Sequence, residues 1–276
     1  MKKRRKIFSP VYLTLLLVVM YLPILMVVIY SFNAGRTIGA WQGFTTMWYD
    51  RLLANSLMGD ALKNSLVLAA WSVALAGVIG TLGAIGMARS HFRGQGALET
   101  LSTLPMMIPE IILGMAYLVI FSAVGIPLGM PTLVVTHMTF CVPYVYINVS
   151  SRLVGMDPAI EEAARDLGAG PWRVLLDITL PLVAPAVASG MLLALAMSLD
   201  DVIISFFVTG ATTTTLPLKV YTGLRNGGTP EINALCTLLL GAVFVLVSLA
   251  QLWQARQRRR QARDREQANR NQPDRA

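Results

Sequence analysis

Cysteine is nearly absent from this chain. Cys141 and Cys236 lie in different apolar runs. They offer neither a disulfide framework nor the spacing of a metal site, and both read as small buried hydrophobes. Histidine is as scarce. His91 falls at the end of an apolar run and reads as solvated, and His137 lies inside another with no metal-spaced companion. Both read as structural. No Walker A sequence, HExxH or GxSxG is present, so neither an ATP site nor a hydrolytic centre is expected here. Charge is the largest deficit. Only 14% of the 276 residues are charged, where a soluble domain carries about a quarter.

What fills the space is apolar. Hydrophobic residues make up 55% of the chain, and they come in blocks of about 20, enough to cross ~30 Å of hydrocarbon at ~1.5 Å per residue. Six spans are predicted: Val11–Tyr30, Leu62–Ala88, Leu101–Val124, Leu133–Val149, Leu182–Val208 and Ala234–Trp253. The first is too long for a signal-peptide core and no small-x-small cleavage site follows it, so it reads as a retained helix. With no water in the bilayer core, each span must satisfy its own backbone, which makes the fold class all-α and polytopic.

The net charge of +8 is placed at span ends rather than along a nucleic-acid groove. Basic residues cluster at Lys2, Lys3, Arg4, Arg5 and Lys6, and again from Arg256 to Arg275. With the N-terminus inside, the inner segments hold 18 of the 23 Lys and Arg, and the outer segments hold 5. The positive-inside rule then puts both termini in the cytoplasm. Residues 1–10 read as a basic cytoplasmic N-terminus, 11–253 as the membrane domain and 254–276 as a charged tail whose arginines are suited to anionic headgroups. The same orientation makes the polar stretch 150–181 cytoplasmic.

Several local features stand out. The external segment after the first span is rich in Trp, Tyr and Gly, and reads as an interfacial aromatic belt or as a docking surface for an external partner. Gly77, Gly80, Gly83 and Gly86 trace a small-residue stripe that lets a neighbouring helix approach closely. Pro105 and Pro109 remove two backbone donors from the third span and disfavour a straight helix there. In the polar loop, Pro158 to Leu167 reads as a short helix, with Asp157 as N-cap and Pro158 in its first turn. Gly168 is expected to end it in a left-handed turn, and Pro171 to start a second short helix through Leu176.

Three carboxylates lie inside apolar spans: Glu110, Asp200 and Asp201. A charge at the bilayer centre costs roughly 2.5–3.5 kcal/mol, so such acids face a partner, a pore or a substrate. Counted from the outer span ends, Glu110 lies roughly 21 Å deep and Asp200 roughly 14 Å. Apart from Lys63 at the outer end of the second span, no Lys or Arg lies within the spans to neutralise them. An electronegative cavity of this kind favours a cation and repels phosphate or sulfate.

Residues Glu162, Ala163, Ala164, Gly168, Ile178, Leu180 and Pro181 follow the spacing E-A-A, three residues, G, nine residues, I-x-L-P. This resembles the EAA loop of bacterial ABC-importer permeases, on which an ATPase docks. SLDDVIISFFVTG, TTLPLKVY, PEINALCTLLLGAV, WQGFTTMWY and HMTFCVPY extend the likeness over most of the chain. Together they resemble the second-permease type of the spermidine/putrescine ABC importers, in the family of binding-protein-dependent inner-membrane components.

The resemblance implies the type I ABC-importer permease fold and an inner-membrane location. It also implies a second homologous permease, a dimeric ATP-binding subunit that holds ATP and Mg, and a periplasmic binding protein. The cargo it implies is a polyamine, contacted along its path by Glu110, Asp200 and Asp201, whose methylenes aromatic side chains cover. No cofactor and no nucleic acid is expected.

Two other transport readings stay open. The loop reports the motor and not the cargo, so an ABC permease for another small solute fits it. An ion-coupled secondary transporter would use the acids as a proton relay, but gives no reason for the loop spacing. An intramembrane aspartyl protease needs a Gly-x-Gly-Asp context that this chain lacks.

Overall fold

The computed structural model describes residues 2–35, 40–90, 92–225, 230–245 and 248. They are overwhelmingly helical, and the one β pairing among them is an isolated bridge between Asn33 and Phe44. His91 and the charged tail 254–276 lie outside the described residues. The chain divides into two compact units, Met1–Asn55 with Gly223–Ala276, and Ser56–Thr222.

In the first unit, α1 (Lys2–Tyr30) carries a 21-residue apolar stretch, Pro10–Tyr30, none of whose best apolar window is buried. A helix that is apolar all round has to be covered by lipid or by another protein. The chain after it folds back on Asn33. The Asn33 carboxamide donates to the Ala40 carbonyl at 2.8 Å and accepts from the Gln42 N–H at 2.7 Å. The Trp48 indole, at the start of α2 (Met47–Ala54), donates to the Asn33 carbonyl at 2.7 Å. Phe32 stacks on Phe44 at 5.4 Å and leans on Tyr49 at 5.2 Å. The aromatics expected to form a surface belt therefore divide. Trp48 is buried inside the loop, and Trp41 and Phe44 point outward. A shorter apolar helix, Pro230–Val245, covers the start of the sixth predicted span, of which residues 246–247 and 249–253 lie outside the described residues.

The second unit holds the helical core. Its elements are α3 (Ser56–Arg89), α4 (Gln95–Thr103), a 3-10 turn (Leu104–Met106), α5 (Glu110–Val124), α6 (Met130–Val154) and α7 (Ala159–Asp166). Next come α8 (Pro171–Arg173), a π turn (Val174–Thr179), α9 (Leu180–Asp200), α10 (Ile203–Val208) and the start of α11 (Leu216–Arg225). Helix α6 is the central post, with α3 on one side and α9 on another. Both contacts use glycine at the same place. A Cβ on Gly80 of α3 would meet Val145 Cβ at 2.9 Å, and one on Gly190 of α9 would meet Val145 Cα at 2.8 Å. In hydrocarbon the packing of close backbones replaces the hydrophobic drive, so these two glycines set how near the helices come. Of the predicted glycine stripe, Gly77 and Gly80 serve such contacts, while Gly86 faces open space.

Three of the predicted spans change shape. The third is bent by 103° between Gln95–Met106 and Glu110–Val124, where the chain passes Pro105 and Pro109. The fourth runs longer than predicted, from Met130 through Ser150 and Arg152 to Val154.

The fifth is displaced. One 30-residue helix runs from Pro171 to Asp200, so no separate short helix ends at Leu176, and the span breaks at Asp201 rather than continuing to Val208. Nothing between Pro171 and Asp200 stops the helix. Pro181 lacks the N–H that would bond the Asp177 carbonyl, and its ring crowds that carbonyl. The chain answers with the π turn at Val174–Thr179.

Candidate functional site

Two places in the second unit gather the residues singled out by sequence. The first is the polar loop. Asp157 Oδ1 accepts the Ala159 N–H at 3.0 Å and so caps α7. At the other end Gly168 has φ +86° with no atom near a would-be Cβ. The Gly168 N–H bonds the Arg165 carbonyl at 2.9 Å, and the Ala169 N–H bonds the Ala164 carbonyl at 3.0 Å. This is a Schellman stop, which needs a residue free to take the left-handed conformation.

Helix α7 buries none of its residues. Glu162 and Ala163 are exposed, and Ala164 and Ile178 are half-buried. Leu180 is also half-buried and Pro181 exposed, about three turns into the long helix. Around them Leu167 is 90% exposed and Trp172 74%. Large apolar side chains left bare in this way suit contact with a partner protein or with the membrane surface.

Beneath that surface, Arg89 at the end of α3 donates to both Glu161 Oε1 and Thr179 Oγ1. Thr179 in turn donates to Glu161 Oε1 at 2.6 Å. Arg165 lies 3.8 Å from the other Glu161 oxygen. Burial alone raises the Glu161 carboxyl's pKa. The hydrogen bonds from Thr179 and Arg89 and the charges of Arg89 and Arg165 outweigh it, and the group titrates below its ordinary value of 4.5. A carboxylate held low in this way adds stability above its ordinary pKa and loses it as pH falls through the lowered one. At neutral pH the arrangement is intact.

The second place is the break in the fifth span. Helix α9 ends on Asp200, Asp201 is extended with ψ 126°, and α10 restarts at Ile203. Asp201 is 7% exposed and fully engaged. Its Oδ1 accepts the Ile204 N–H at 3.1 Å and its Oδ2 the Ser205 N–H at 2.8 Å, which supplies the first turn of α10 with acceptors. His137 Nε2 of α6 stands 3.3 Å from Oδ2. The same nitrogen is 3.1 Å from Ser205 Oγ, while Nδ1 is 3.0 Å from Ser198 Oγ. The far end of α10 is also tied to α6, where Thr132 Oγ1 donates to the Val208 carbonyl at 3.0 Å.

Asp200 and Glu110 differ from Asp201. Both are exposed, Asp200 as the last residue of α9 and Glu110 in the first turn of α5. Helix α5 lies against α10, where a Cβ on Gly114 would meet Phe207 Cδ2 at 2.7 Å. This close approach leaves Glu110 within electrostatic reach of both Asp201 and Asp200. Tyr144 of α6 also feels Glu110. The three acids therefore lie within electrostatic reach of one another.

Sequence reasoning finds no internal base for these acids because it counts only Lys and Arg. For Asp201 that reading is corrected by His137. Ser198 and Ser205 flank the two aspartates in the sequence, but they lie on either side of the break, and only the fold brings both to His137.

Residues 76–263 match the binding-protein-dependent transport system inner membrane component family. The chain belongs to this family. It is a multi-pass inner-membrane permease component of an ABC importer. It is 42% identical over 258 residues to the putrescine transport system permease protein PotI of Escherichia coli (strain K12), covering 91% of this chain and 92% of that one. It is also 42% identical over 241 residues to the spermidine/putrescine transport system permease protein PotC of the same organism, covering 87% and 91%. Among solved structures, a bacterial ABC transporter involved in the import of the acidic polysaccharide alginate superposes with a TM-score of 0.72 at 17% identity, covering 91% of this chain and 96% of that one. At that identity the likeness speaks for the fold alone. The fold is that of an ABC-importer permease.

Proposed function

We propose that this chain is the membrane-spanning half of a polyamine importer, moving spermidine or putrescine inward at the expense of ATP hydrolysed by a separate subunit. The observation that carries the reading is the 42% identity over about nine-tenths of the chain to permeases named for those two compounds. The chemistry of the break agrees with it. A polyamine is a string of ammonium groups on a methylene chain, and Glu110 and Asp200 offer exposed carboxylates close together. Asp201 serves the same path from behind by holding the break on which Asp200 is presented. Tyr144, within electrostatic reach of Glu110, offers an aromatic face for methylenes and a cation–π contact.

The chain works with a second homologous permease, and the path runs between the two. A dimer of ATP-binding subunits docks on the 150–181 loop through Glu162, Ala163, Ala164 and Gly168, with Ile178, Leu180 and Pro181 seating the loop on its span. A periplasmic binding protein delivers the cargo from outside. Both termini are cytoplasmic, which follows from the basic residues at the inner span ends. Closure of the ATPase dimer pulls on the loop and changes which side of the path is open.

The deciding experiment is uptake of labelled spermidine and putrescine into proteoliposomes that hold the co-purified complex. ATP is supplied on the ATPase side and binding protein on the other. ATP-dependent uptake that unlabelled polyamine abolishes is the expected result. A complex that hydrolyses ATP in response to its binding protein but accumulates neither compound would keep the ABC-importer assignment and discard the polyamine one.

A further inference from the structure

Helix α7 is a surface helix with nothing buried, yet a coupling element has to move the spans. Among the described residues, the side-chain hydrogen bonds that join α7 to the spans all end on Glu161, the residue just before the E-A-A spacing. One of its oxygens, Oε1, collects two donors from two different spans: Arg89, the last residue of α3, and Thr179, at the end of the π turn in the Pro171–Asp200 helix. Arg89 also bonds Thr179, so the three groups close a triangle.

The triangle is anchored firmly on one side only. Thr179 is fully buried, with its hydroxyl also 3.2 Å from the Val174 carbonyl. Glu161 and Arg89 keep 17% and 29% of their side chains open. The anchor lies on a π turn, where the ordinary helical ladder is already interrupted. Such turns are frequent at functional sites because they let a helix yield locally.

We propose that Glu161 is a positioning residue that transmits motion of the coupling helix to α3 and to the Pro171–Asp200 helix at once, through Arg89 and Thr179. This rests on the reading of the 150–181 loop as the ATPase-docking element. Glu162 and the bare Leu167 and Trp172 face the motor; Glu161 faces the spans. A displacement of α7 without this tie slides over the membrane domain instead of moving it. Two further features fit the role. Charge-assisted hydrogen bonds are about twice as strong as neutral ones and hold geometry well, and the carboxylate stays ionised at neutral pH.

The test uses the intact complex of both permeases, the ATPase and the binding protein. Its readout is the fold stimulation of ATP hydrolysis by loaded binding protein, which requires communication between spans and motor. Glu161→Gln keeps the shape and removes the charge. The ATPase is expected to co-purify as before while the stimulation falls about tenfold, the loss that corresponds to one charge-assisted hydrogen bond. Thr179→Val should show the same defect, and Thr179→Ser should restore it. Arg89→Met combined with Glu161→Gln should be no worse than the more severe single change, because both remove one interaction.

Wild-type stimulation in Glu161→Gln overturns the proposal. So does loss of the ATPase from that variant, which would place Glu161 on the docking surface itself. Additive defects in the double variant overturn it as well. Leu167→Asp separates this from the underlying reading. If it leaves the ATPase bound, the docking assignment fails and the tie with it. If it releases the ATPase while Glu161→Gln behaves as wild type, only the tie fails.

Discussion

Glu161 and Asp201 are both carboxylates that accept two hydrogen bonds from the chain and stand beside a basic side chain, but their surroundings differ. Glu161 lies at the edge of the second unit, half-buried, with an arginine and a threonine brought from two spans. Asp201 lies inside it, with its acceptors spent on two backbone N–H groups and a histidine at 3.3 Å. The first arrangement joins a surface helix to the core. The second stabilises an interruption within a span and leaves its neighbour Asp200 facing out. A polar group at the rim of a membrane bundle is suited to carry movement, because water can relax around it. One in the core has to be satisfied completely, because any unmade bond there is costly.

The largest effect is expected for Asp201→Ala. It strands a buried imidazole and two N–H groups, and each buried polar group left without its partner costs about 1–3 kcal/mol. The complex should assemble poorly and melt at lower temperature in detergent. If it assembles and melts normally but no longer transports, Asp201 belongs with the substrate contacts instead, and the contrast with Asp200 disappears.

Gly168→Val comes next. A branched residue in the left-handed conformation costs about 1–2 kcal/mol, although the space around Gly168 is open. The expected result is loss of ATPase co-purification with the spans intact by thermal melt, and Gly168→Asn should be milder. Normal ATPase binding in the valine variant would detach the Schellman stop from docking.

Asp200→Asn and Glu110→Gln should each lower polyamine uptake about tenfold, roughly 1.4 kcal/mol. Assembly and ATPase binding should stay unchanged in both. A loss of assembly in either would make them structural like Asp201. The smallest effect on uptake is expected for Thr132→Val, which removes the bond to the Val208 carbonyl and the one accepted from the Gly129 N–H, at about 1 kcal/mol each. It should be seen as a small fall in melting temperature and in uptake together.

The polar loop is largely legible in the sequence. Its helix start at Asp157 and Pro158 and its stop at Gly168 follow from local rules, since a cap and a left-handed turn depend on residues a few positions apart. What those rules miss is Glu161. Its partners Arg89 and Thr179 are 72 and 18 positions away, and no local pattern relates the three.

The break in the fifth span is less legible. The apolar run through Val208 suggests one continuous span, because a hydropathy window averages over Asp200 and Asp201 and does not register that the chain has to turn. The bent third span is legible, because two prolines act on their own backbone. The length of the Pro171–Asp200 helix is not, because the π turn that lets it pass Pro181 leaves no simple mark in composition.

The sequence by itself determined the class of this protein: helices long and apolar enough to cross a membrane, basic residues at their ends, and a loop whose spacing belongs to ABC-importer permeases. Each of these is written in composition or in short-range order, and hydrocarbon leaves the backbone few alternatives. Only the tertiary structure decided the division of labour among the charged groups. Whether a carboxylate faces a path, caps a helix or ties two spans together depends on which helices lie beside it, and glycines such as Gly80, Gly114 and Gly190 set that proximity by letting distant segments touch.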